Sequence, residues 1–455
     1  FRNCIGLETV FFHNDNVFIH KNAFQNCTSL RHIHIGGKME YMFQGISGLS
    51  GEEVPPLVRT VHRQVMDNFL ISGTILLRYL GSESRVAVPQ GITAIAEEAF
   101  DGNEAVDRVI LPDSLLEIGA CAFRGCLLLQ TVEFPVRLTR LGAGAFENCV
   151  KLIRAPLPPG LTEIEDGAFK RCRVLRELAL PPGLRSIGEQ AFYECPSLGE
   201  VKFPETLASV GKMAFYRCTG LKEVSLPPAA VQVGSLAFAR SGVRKVRIFG
   251  DGRGFGRDLF SDCLRLKTLI LEPGVRHMPD RLAAGCTALK QVILPDSLES
   301  VGRHPLENTL FLKREGKADD SSKTGGFLET DKILWDGSGL SGDVTLPPTL
   351  RIVAGGAFYG SKDLTRIHFP ETVTWIGPAA LKGCEHLTAV TWPGHMDKME
   401  AEVCSGCVNL ETFDTRTRFH ALEERAFFGC RKLTGLPLAH IRCLGKEALL
   451  GCRSL

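Results

Sequence analysis

The chain contains 455 residues, of which 44% are hydrophobic and 23% are charged, as is typical of a folded protein with a large core. Lysine and arginine total 53 against 51 for aspartate and glutamate, so the net charge of +2 excludes a general attraction to nucleic acid or to anionic membranes. No apolar run reaches the roughly 18 residues of a membrane-spanning helix. Any partner must therefore be bound by local features of the surface.

A repeat of 23 residues runs through most of the chain. Each unit follows the pattern A-F-x-x-C-x-x-L-x-x-V-x-L-P and is completed by a second apolar pair ending in I-G. Thirteen of the 16 cysteines keep this period or miss it by one residue. Other residues stand at the cysteine position in five further coils, which makes eighteen coils in total: Ile46, Asn103, Ser241, Thr309 and Ser361.

A longer period of 258 residues overlies the short one, so that Phe69 and Phe100 recur as Phe327 and Phe358. Each block begins with an aromatic and aliphatic segment, residues 69–76 and their counterpart near Phe327, which predicts a hairpin. We therefore expect one continuous solenoid over residues 1–455. Its sub-blocks are 1–66, then 67–312 beginning with a hairpin, then 313–455 beginning with a polar loop and a second hairpin.

Within each coil, the x-x-V-x-L-P segment alternates in polarity with the two-residue period of a short strand that has one buried face. Proline ends this strand because it has no N–H for the ladder. The Ala-Phe-x-x-Cys segment is too short for a full helix, so it predicts one turn of α or 3₁₀ helix. The glycine of each I-G pair is expected to adopt positive φ in a turn, as at Gly119, Gly142, Gly188, Gly211 and Gly234.

Stacking of such coils would place Phe on Phe and Cys on Cys in one core. The predicted core ladder consists of Cys126, Cys149, Cys172, Cys195, Cys218, Phe123, Phe146, Phe169, Phe192 and Phe215. A 23-residue period spreads the cysteines along the solenoid, so they cannot converge on one metal ion. We interpret them as reduced, buried thiols, and we predict no metal and no cofactor.

The repeat resembles the BspA-like leucine-rich repeats, whose mark is a 23-residue unit with A-F-x-x-C, and the resemblance covers nearly the whole chain. It implies an α/β-type leucine-rich-repeat solenoid, a right-handed superhelix of mostly short β-strands with 3₁₀ or single helical turns. It also implies a cell-surface or secreted protein that adheres to a host or microbial surface protein. Residues 36–68 and 303–330 depart from the pattern of the family.

Patterns of catalytic sites are weak in this sequence. Cys404 and Cys407 form the only C-x-x-C, but Cys407 already belongs to the repeat. The glycines of residues 250–256 follow a strand-like segment, yet the next coil begins where a dinucleotide-binding motif needs a helix, so we interpret them as a turn. No G-x-S-x-G or H-E-x-x-H motif occurs. We therefore predict that the chain is not an enzyme.

Basic residues cluster beside these glycines: Arg240, Arg244, Lys245, Arg247, Arg253 and Arg257. Anion binding is one interpretation, and an ordinary solvated surface is the other. Nucleic acid is not expected, because only Phe249 and Phe255 could stack on bases.

The most specific surface feature is a row of carboxylates, Glu177, Glu200 and Glu223, each five residues after its cysteine and therefore on the outward face of its strand. Adjacent coils would bring like charges within about 5 Å, which is mildly unfavourable. Local neutralisation by Arg176, Lys202 and Lys222 is one explanation. The other is a basic partner whose footprint is bounded by Arg154 on one side and by Lys245 and Arg247 on the other.

Two functions remain open at this point. The first is a monomeric, non-enzymatic protein-binding module with an extended face for a large partner. The alternative is a structural stalk or spacer that carries domains outside this chain. Both ends fall inside a repeat, and solenoids need polar caps, so we expect this chain to be a fragment of a longer protein.

Residues 313–326 have almost no apolar side chain, and we predict that limited trypsin digestion cuts this segment first. The cleavage order is read by mass spectrometry of timed aliquots. Nicking between Cys126 and Cys218 before this segment is cut would contradict the prediction.

Overall fold

The computed structural model describes residues 9–12, 32–35, 39–42, 63–66, 68–315, 328–330, 332–415, 419–436 and 438–455. The chain divides into two compact units, Phe1–Ile75 and Leu76–Leu455. In the first unit, Thr9–Phe12 pairs in parallel with His32–Ile35, which pairs antiparallel with Met39–Met42. Arg63–Met66 pairs antiparallel with Phe69–Ser72.

The second unit is a parallel β-solenoid of about 15 coils with almost no helix. The other three of the eighteen predicted coils centre on Cys4, Cys27 and Ile46, which lie outside the described residues. Most coils pass through a longer strand, a short strand and a series of tight turns. Stacking of the coils therefore produces three parallel rows.

The long-strand row contains strands of three to five residues. Their side chains alternate as predicted; in Arg108–Ile110, for example, only the central Val109 is buried. The strands of this row are Arg85–Ala87, Arg108–Ile110, Thr131–Glu133, Arg154–Pro156, Glu177–Ala179, Glu223–Ser225, Lys245–Ile248, Thr268–Leu271, Gln291–Ile293, Gly342–Thr345, Leu364–His368, Ala389–Trp392 and Thr412–Thr415.

The short-strand row forms a second face, on which most strands have two residues. Its strands are Ile75–Tyr79, Ala94–Ile95, Glu117–Ile118, Arg140–Leu141, Glu163–Ile164, Ser186–Ile187, Ser209–Val210, Gln232–Val233, His277–Met278, Ser300–Val301, Ile333–Asp336, Ile352–Val353, Trp375–Ile376, Lys398–Met399, Ala421–Leu422 and Cys443–Leu444.

The turn row, built from the Ala-Phe-x-x-Cys segments, differs from the helical turn that we expected. Phe123 donates its N–H to Ala145 O of the next coil at 2.8 Å, whereas the N–H of Cys126 turns back to Phe123 O at 3.2 Å. Cys121 and Gly125 have positive φ of 52° and 70°. Residues in left-handed conformation interrupt a right-handed helix, and the bonds between coils take the donors that a helix would use. The segment is therefore a chain of turns.

The glycines of the I-G pairs have a different role from the predicted one. None of the five, Gly119, Gly142, Gly188, Gly211 and Gly234, is among the residues with positive φ. A Cβ on Gly211 would lie 2.4 Å from the carbonyl carbon of Gly188 in the adjacent coil. These residues are glycine because the backbones of neighbouring coils approach too closely for a side chain.

Phenylalanine rings and thiols form two continuous ladders in the core. The rings of Phe123 and Phe146 stack with centroids 5.1 Å apart, and stacking continues along the row to Phe260. Each thiol donates to the carbonyl of a turn-row residue of the preceding coil, as Cys126 Sγ does to Phe100 O at 3.2 Å. All ten residues of the predicted core ladder have no exposed surface. The cysteines of the described residues are free thiols.

The two duplicated blocks meet through the coils at residues 300–309 and 352–361. His304 N donates to Gly355 O at 3.0 Å across this boundary. Arg303 Nη1 lies 2.8 Å from Glu402 Oε2, and Lys382 Nζ lies 2.7 Å from Glu402 Oε1. Burial alone would raise the pKa of Glu402, but the hydrogen bond and charge of Lys382 outweigh it and lower that pKa.

The chain between these two coils contains further structure. The predicted second hairpin is present, because Leu328–Thr330 pairs antiparallel with Ile333–Asp336. In the first predicted hairpin, Gly73 joins the strands Phe69–Ser72 and Ile75–Tyr79 and has positive φ of 58°. The helix Leu310–Glu315 extends into the first residues of the predicted polar loop, which begins at Lys313. The rest of that loop, 316–326, lies outside the described residues. A 3₁₀ turn, Leu438–His440, occurs near the C-terminal end.

We predict that the ladder thiols do not react with iodoacetamide in the native protein. Burial raises the pKa of Cys126 to about 12 and that of Cys172 well above its ordinary value, so the reactive thiolate is absent at neutral pH. Exposed Cys443 provides an internal control that should be labelled first. Mass spectrometry that finds Cys172 labelled as early as Cys443, without denaturant, would contradict this.

We predict that Gly211→Ala lowers the free energy of unfolding by about 1–3 kcal/mol, because the new methyl group meets backbone atoms that cannot move aside. Gly199→Ala is the matched control, because a Cβ there has no heavy atom within 4 Å and the residue does not have positive φ. Thermal denaturation by circular dichroism compares the two variants. Equal stability of both would remove close coil approach as the reason for glycine at this position.

Candidate partner-binding surface

The outward face of the long-strand row carries the predicted binding residues. Glu177, Glu223, Arg154 and Lys245 are each the first residue of a strand, and all four are exposed. Arg247 lies two residues after Lys245 and is also exposed. These strands form the floor of the candidate site, and their buried central residues hold them to the core.

Strand register places cations directly opposite the two outer carboxylates. Arg154 is the partner of Glu177, and Glu223 is the partner of Lys245. Opposite charges at directly paired positions favour pairing of the strands, in contrast to like charges. The basic residues predicted to bound the footprint are therefore the immediate neighbours of its acidic residues.

The middle of the carboxylate row departs from the prediction. Glu200 is exposed but lies in no strand, so the sheet that contains Glu177 ends there and a new sheet begins at Glu223. The expected continuous row is thus interrupted. Gly199, which weakens a strand, and the like charges on both sides of Glu200 both disfavour pairing at this coil.

Ion pairs account for part of the surface charge. Lys202 Nζ lies 3.8 Å from Glu200 Oε1, but both side chains are more than three-quarters exposed, so this pair is weak. Arg247 is held by Glu272 at 2.6 Å. Among the described residues, no ion pair within 4.0 Å involves the following charged side chains of this face: Arg154, Arg176, Glu177, Lys222, Glu223 and Lys245.

The predicted basic cluster is partly neutralised in the same way. Arg240 pairs with Asp262 at 3.2 Å, and Arg253 lies 3.8 Å from Asp251. The glycine-rich segment that follows the strand Lys245–Ile248 is a loop without a helix, so it lacks the geometry of a dinucleotide-binding motif.

An aromatic cluster on the turn row was not predicted from the sequence. The rings of Tyr193 and Tyr216 stack with centroids 5.2 Å apart. Lys170 Nζ lies 6.0 Å from the Tyr193 centroid, and the guanidinium groups of Arg217 and Arg240 lie 5.6 and 6.0 Å from that of Tyr216. The available signal was that both tyrosines directly follow the repeated phenylalanine.

Other chemistries have no support in the part of the chain that the structure describes. It contains no group of three His, Cys, Asp or Glu side chains able to hold a metal ion. It also has no helix with the length and apolarity needed to cross a membrane. The C-x-x-C residues Cys404 and Cys407 are fully buried free thiols, and Cys407 donates to Leu381 O at 3.1 Å.

A known family of repeats matches most of this chain. The model of the BspA type leucine-rich repeat region matches residues 1–72, 79–199, 185–313 and 337–455. A leucine-rich repeat protein from Bacteroides ovatus is similar, with 22% identity and a TM-score of 0.48 over 78% of this chain and 90% of that one. A comparison with curated proteins gave no match.

Two further solved structures resemble the chain less closely. A leucine rich cell surface protein from Faecalibacterium prausnitzii has 19% identity and a TM-score of 0.39, covering 87% of this chain and 94% of that one. The pneumococcal vaccine antigen PcpA has 16% identity and a TM-score of 0.34, covering 84% and 90%. Since the family model covers most of the sequence, this chain belongs to the family of BspA type leucine-rich repeat proteins.

Proposed function

We propose that this chain is the non-enzymatic protein-binding module of a surface or secreted, adhesin-like protein, and that it binds as a monomer. Its partner is a host or microbial surface protein with a basic patch. Docking takes place on the outward face of the long-strand row, with Glu177, Glu200 and Glu223 as the acidic contacts. Membership of a repeat family suited to protein interaction supports this function.

One observation carries the proposal. Glu177 and Glu223 are exposed and have no ion pair within 4.0 Å among the described residues. Other carboxylates are paired between coils; Glu194, for example, contacts Arg171 at 3.4 Å and Arg217 at 2.9 Å, although a few exposed carboxylates such as Glu104 also lack an ion pair within 4.0 Å among the described residues. Carboxylates without such partners on an open face suit a cationic partner, because complementary charge accelerates association.

The flanking cations give the proposed footprint its limits. Arg154 and Lys245 stand directly opposite the outer carboxylates, so a basic partner is repelled at both edges. Arg247 is fixed by Glu272 and contributes less free charge. Repulsion at the two edges and attraction in the centre together set the register in which the partner docks.

We predict that the triple variant Glu177→Gln, Glu200→Gln, Glu223→Gln associates about tenfold more slowly with its partner, because the acidic row steers encounter. The salt dependence of the association rate should flatten, and thermal stability should stay equal or rise. Biolayer interferometry against purified host extracellular-matrix proteins and bacterial surface proteins measures the rates. Binding by wild-type protein to any of these surfaces is the first expected result.

The matched control changes the same number of carboxylates elsewhere: Glu104→Gln, Glu205→Gln and Asp296→Asn are exposed residues without an ion pair among the described residues. This control should keep the wild-type association rate. Equal association rates for both triple variants would show that the acidic row is an ordinary solvated surface that does not contact the partner. Absence of binding to every surface tested would favour the stalk or spacer function instead.

A further inference from the structure

A column of cations crosses four successive coils on the first block. Lys222, Arg244, Lys267 and Lys290 are each the residue directly before a strand of the long-strand row, and all four are exposed. We call this set the basic column. Main-chain hydrogen bonds link its members: Arg244 N to Lys222 O at 2.7 Å, Lys267 N to Arg244 O at 2.8 Å, and Lys290 N to Lys267 O at 3.2 Å.

These hydrogen bonds keep the four cations in line at the strand spacing of about 4.8 Å, so the column extends about 15 Å. Like charges at neighbouring positions of a sheet oppose its formation. None of the four has an ion pair within 4.0 Å among the residues that the structure describes. The repulsion is therefore not relieved within the described chain.

The surroundings of the column add little negative charge. The residues that follow its members in the strands are Glu223, Lys245, Thr268 and Gln291, of which only the first is acidic. Glu223 itself is the strand partner of Lys245. Three of the four coils therefore present positive charge without an acidic neighbour in the strand.

The repeat does not require cations at this position. In the second block, the same hydrogen-bonded column consists of Thr365, Thr388, Glu411 and Thr434. Both columns are linked by the same kind of main-chain hydrogen bond between coils. The fold therefore accommodates neutral and acidic residues at this position of the repeat. The requirements of the fold therefore do not explain why the residues of the first column are positively charged.

We propose that the basic column binds a linear sulfated polysaccharide. Such a polymer carries its anionic groups on successive sugar rings, where covalent bonds hold them in a line. Each ammonium group offers three rotatable donors and the guanidinium five, so the column can donate charge-assisted hydrogen bonds to a series of sulfate oxygens.

Two other polyanions fit the column less well. Single-stranded nucleic acid is bound by basic grooves with exposed aromatic rings, but Phe249, the aromatic residue nearest in sequence to Arg244, is half-buried and lies beside Arg247 at 5.7 Å. A folded acidic protein would need a matching row of carboxylates, which like-charge repulsion disfavours and which no covalent polymer backbone holds in line. The inference does not rest on the protein partner proposed above, because it concerns another ligand and the four cations are not the proposed contacts. Lys222 and Arg244 nevertheless directly precede Glu223 and Lys245 of that footprint.

The test is the binding of size-defined heparin by the full chain, measured by isothermal titration calorimetry at several salt concentrations. The variant Lys222→Gln, Arg244→Gln, Lys267→Gln, Lys290→Gln should bind about tenfold or more weakly, since four exposed charge contacts are lost. Its salt dependence should flatten. Its melting temperature should be unchanged or higher, because repulsion has been removed.

The matched control removes four cations that share no column and lie outside the basic cluster of residues 240–257: Arg137→Gln, Arg173→Gln, Arg185→Gln and Arg351→Gln, all exposed. It changes the net charge equally and should keep wild-type affinity for heparin. Equal weakening of both variants would reduce the effect to net charge and overturn the proposal. Failure of the wild-type chain to bind heparin would overturn it too.

Two further probes separate the alternatives. Hyaluronan, a polysaccharide with carboxylates but no sulfate, should bind more weakly than heparin. Single-stranded DNA that bound more tightly than heparin, and lost affinity in the column variant, would replace the polysaccharide with nucleic acid and so refute the assignment.

Discussion

The main-chain hydrogen bonds between consecutive coils are the interaction on which the rest of this structure depends. They occur in the long-strand row, in the short-strand row and at alternate residues of the turn row, and they hold equivalent residues of neighbouring coils side by side. Such spacing is fixed by backbone geometry rather than by side chains. Every position of the repeat therefore generates a column of neighbouring side chains.

In the core, this constraint makes identical residues favourable partners. Phenylalanine rings stack at 4.7–5.5 Å from Phe100 to Phe260, a distance at which offset rings attract each other. The cysteine side chain is small and fully buried, and its thiol reaches a carbonyl of the preceding coil. Each repeat has room for a small buried hydrogen-bond donor at this position, so the 23-residue period of the cysteines has a structural origin.

On the surface, the same constraint makes identical charges in neighbouring coils unfavourable. The two charged rows of the solenoid differ in how these charges are arranged. At the turn row, charges alternate along the column, as in Arg171, Glu194 and Arg217. On the long-strand row, the carboxylates at Glu177 and Glu223 and the cations of the basic column lack such ion pairs. A column whose charges have no ion pair within the chain is where a partner of opposite charge gains most in association rate and specificity.

Periodicity in the sequence was sufficient to predict the solenoid and the identity of the core residues, because each coil repeats one pattern of apolar positions. The second unit contains about 15 of the eighteen coils expected over the whole chain. It also located the second hairpin. The tertiary structure alone decided how the turns are made. Backbone donors of the Phe-x-x-Cys segment bond to the adjacent coil, and this competition replaces the expected helical turn. The glycine of each I-G pair, in turn, is selected by the approach of a backbone 23 residues away, which no local rule contains. The interruption at Glu200 and the direct opposition of Arg154 to Glu177 likewise depend on strand register, which is set by contacts between coils rather than by the residues of one coil.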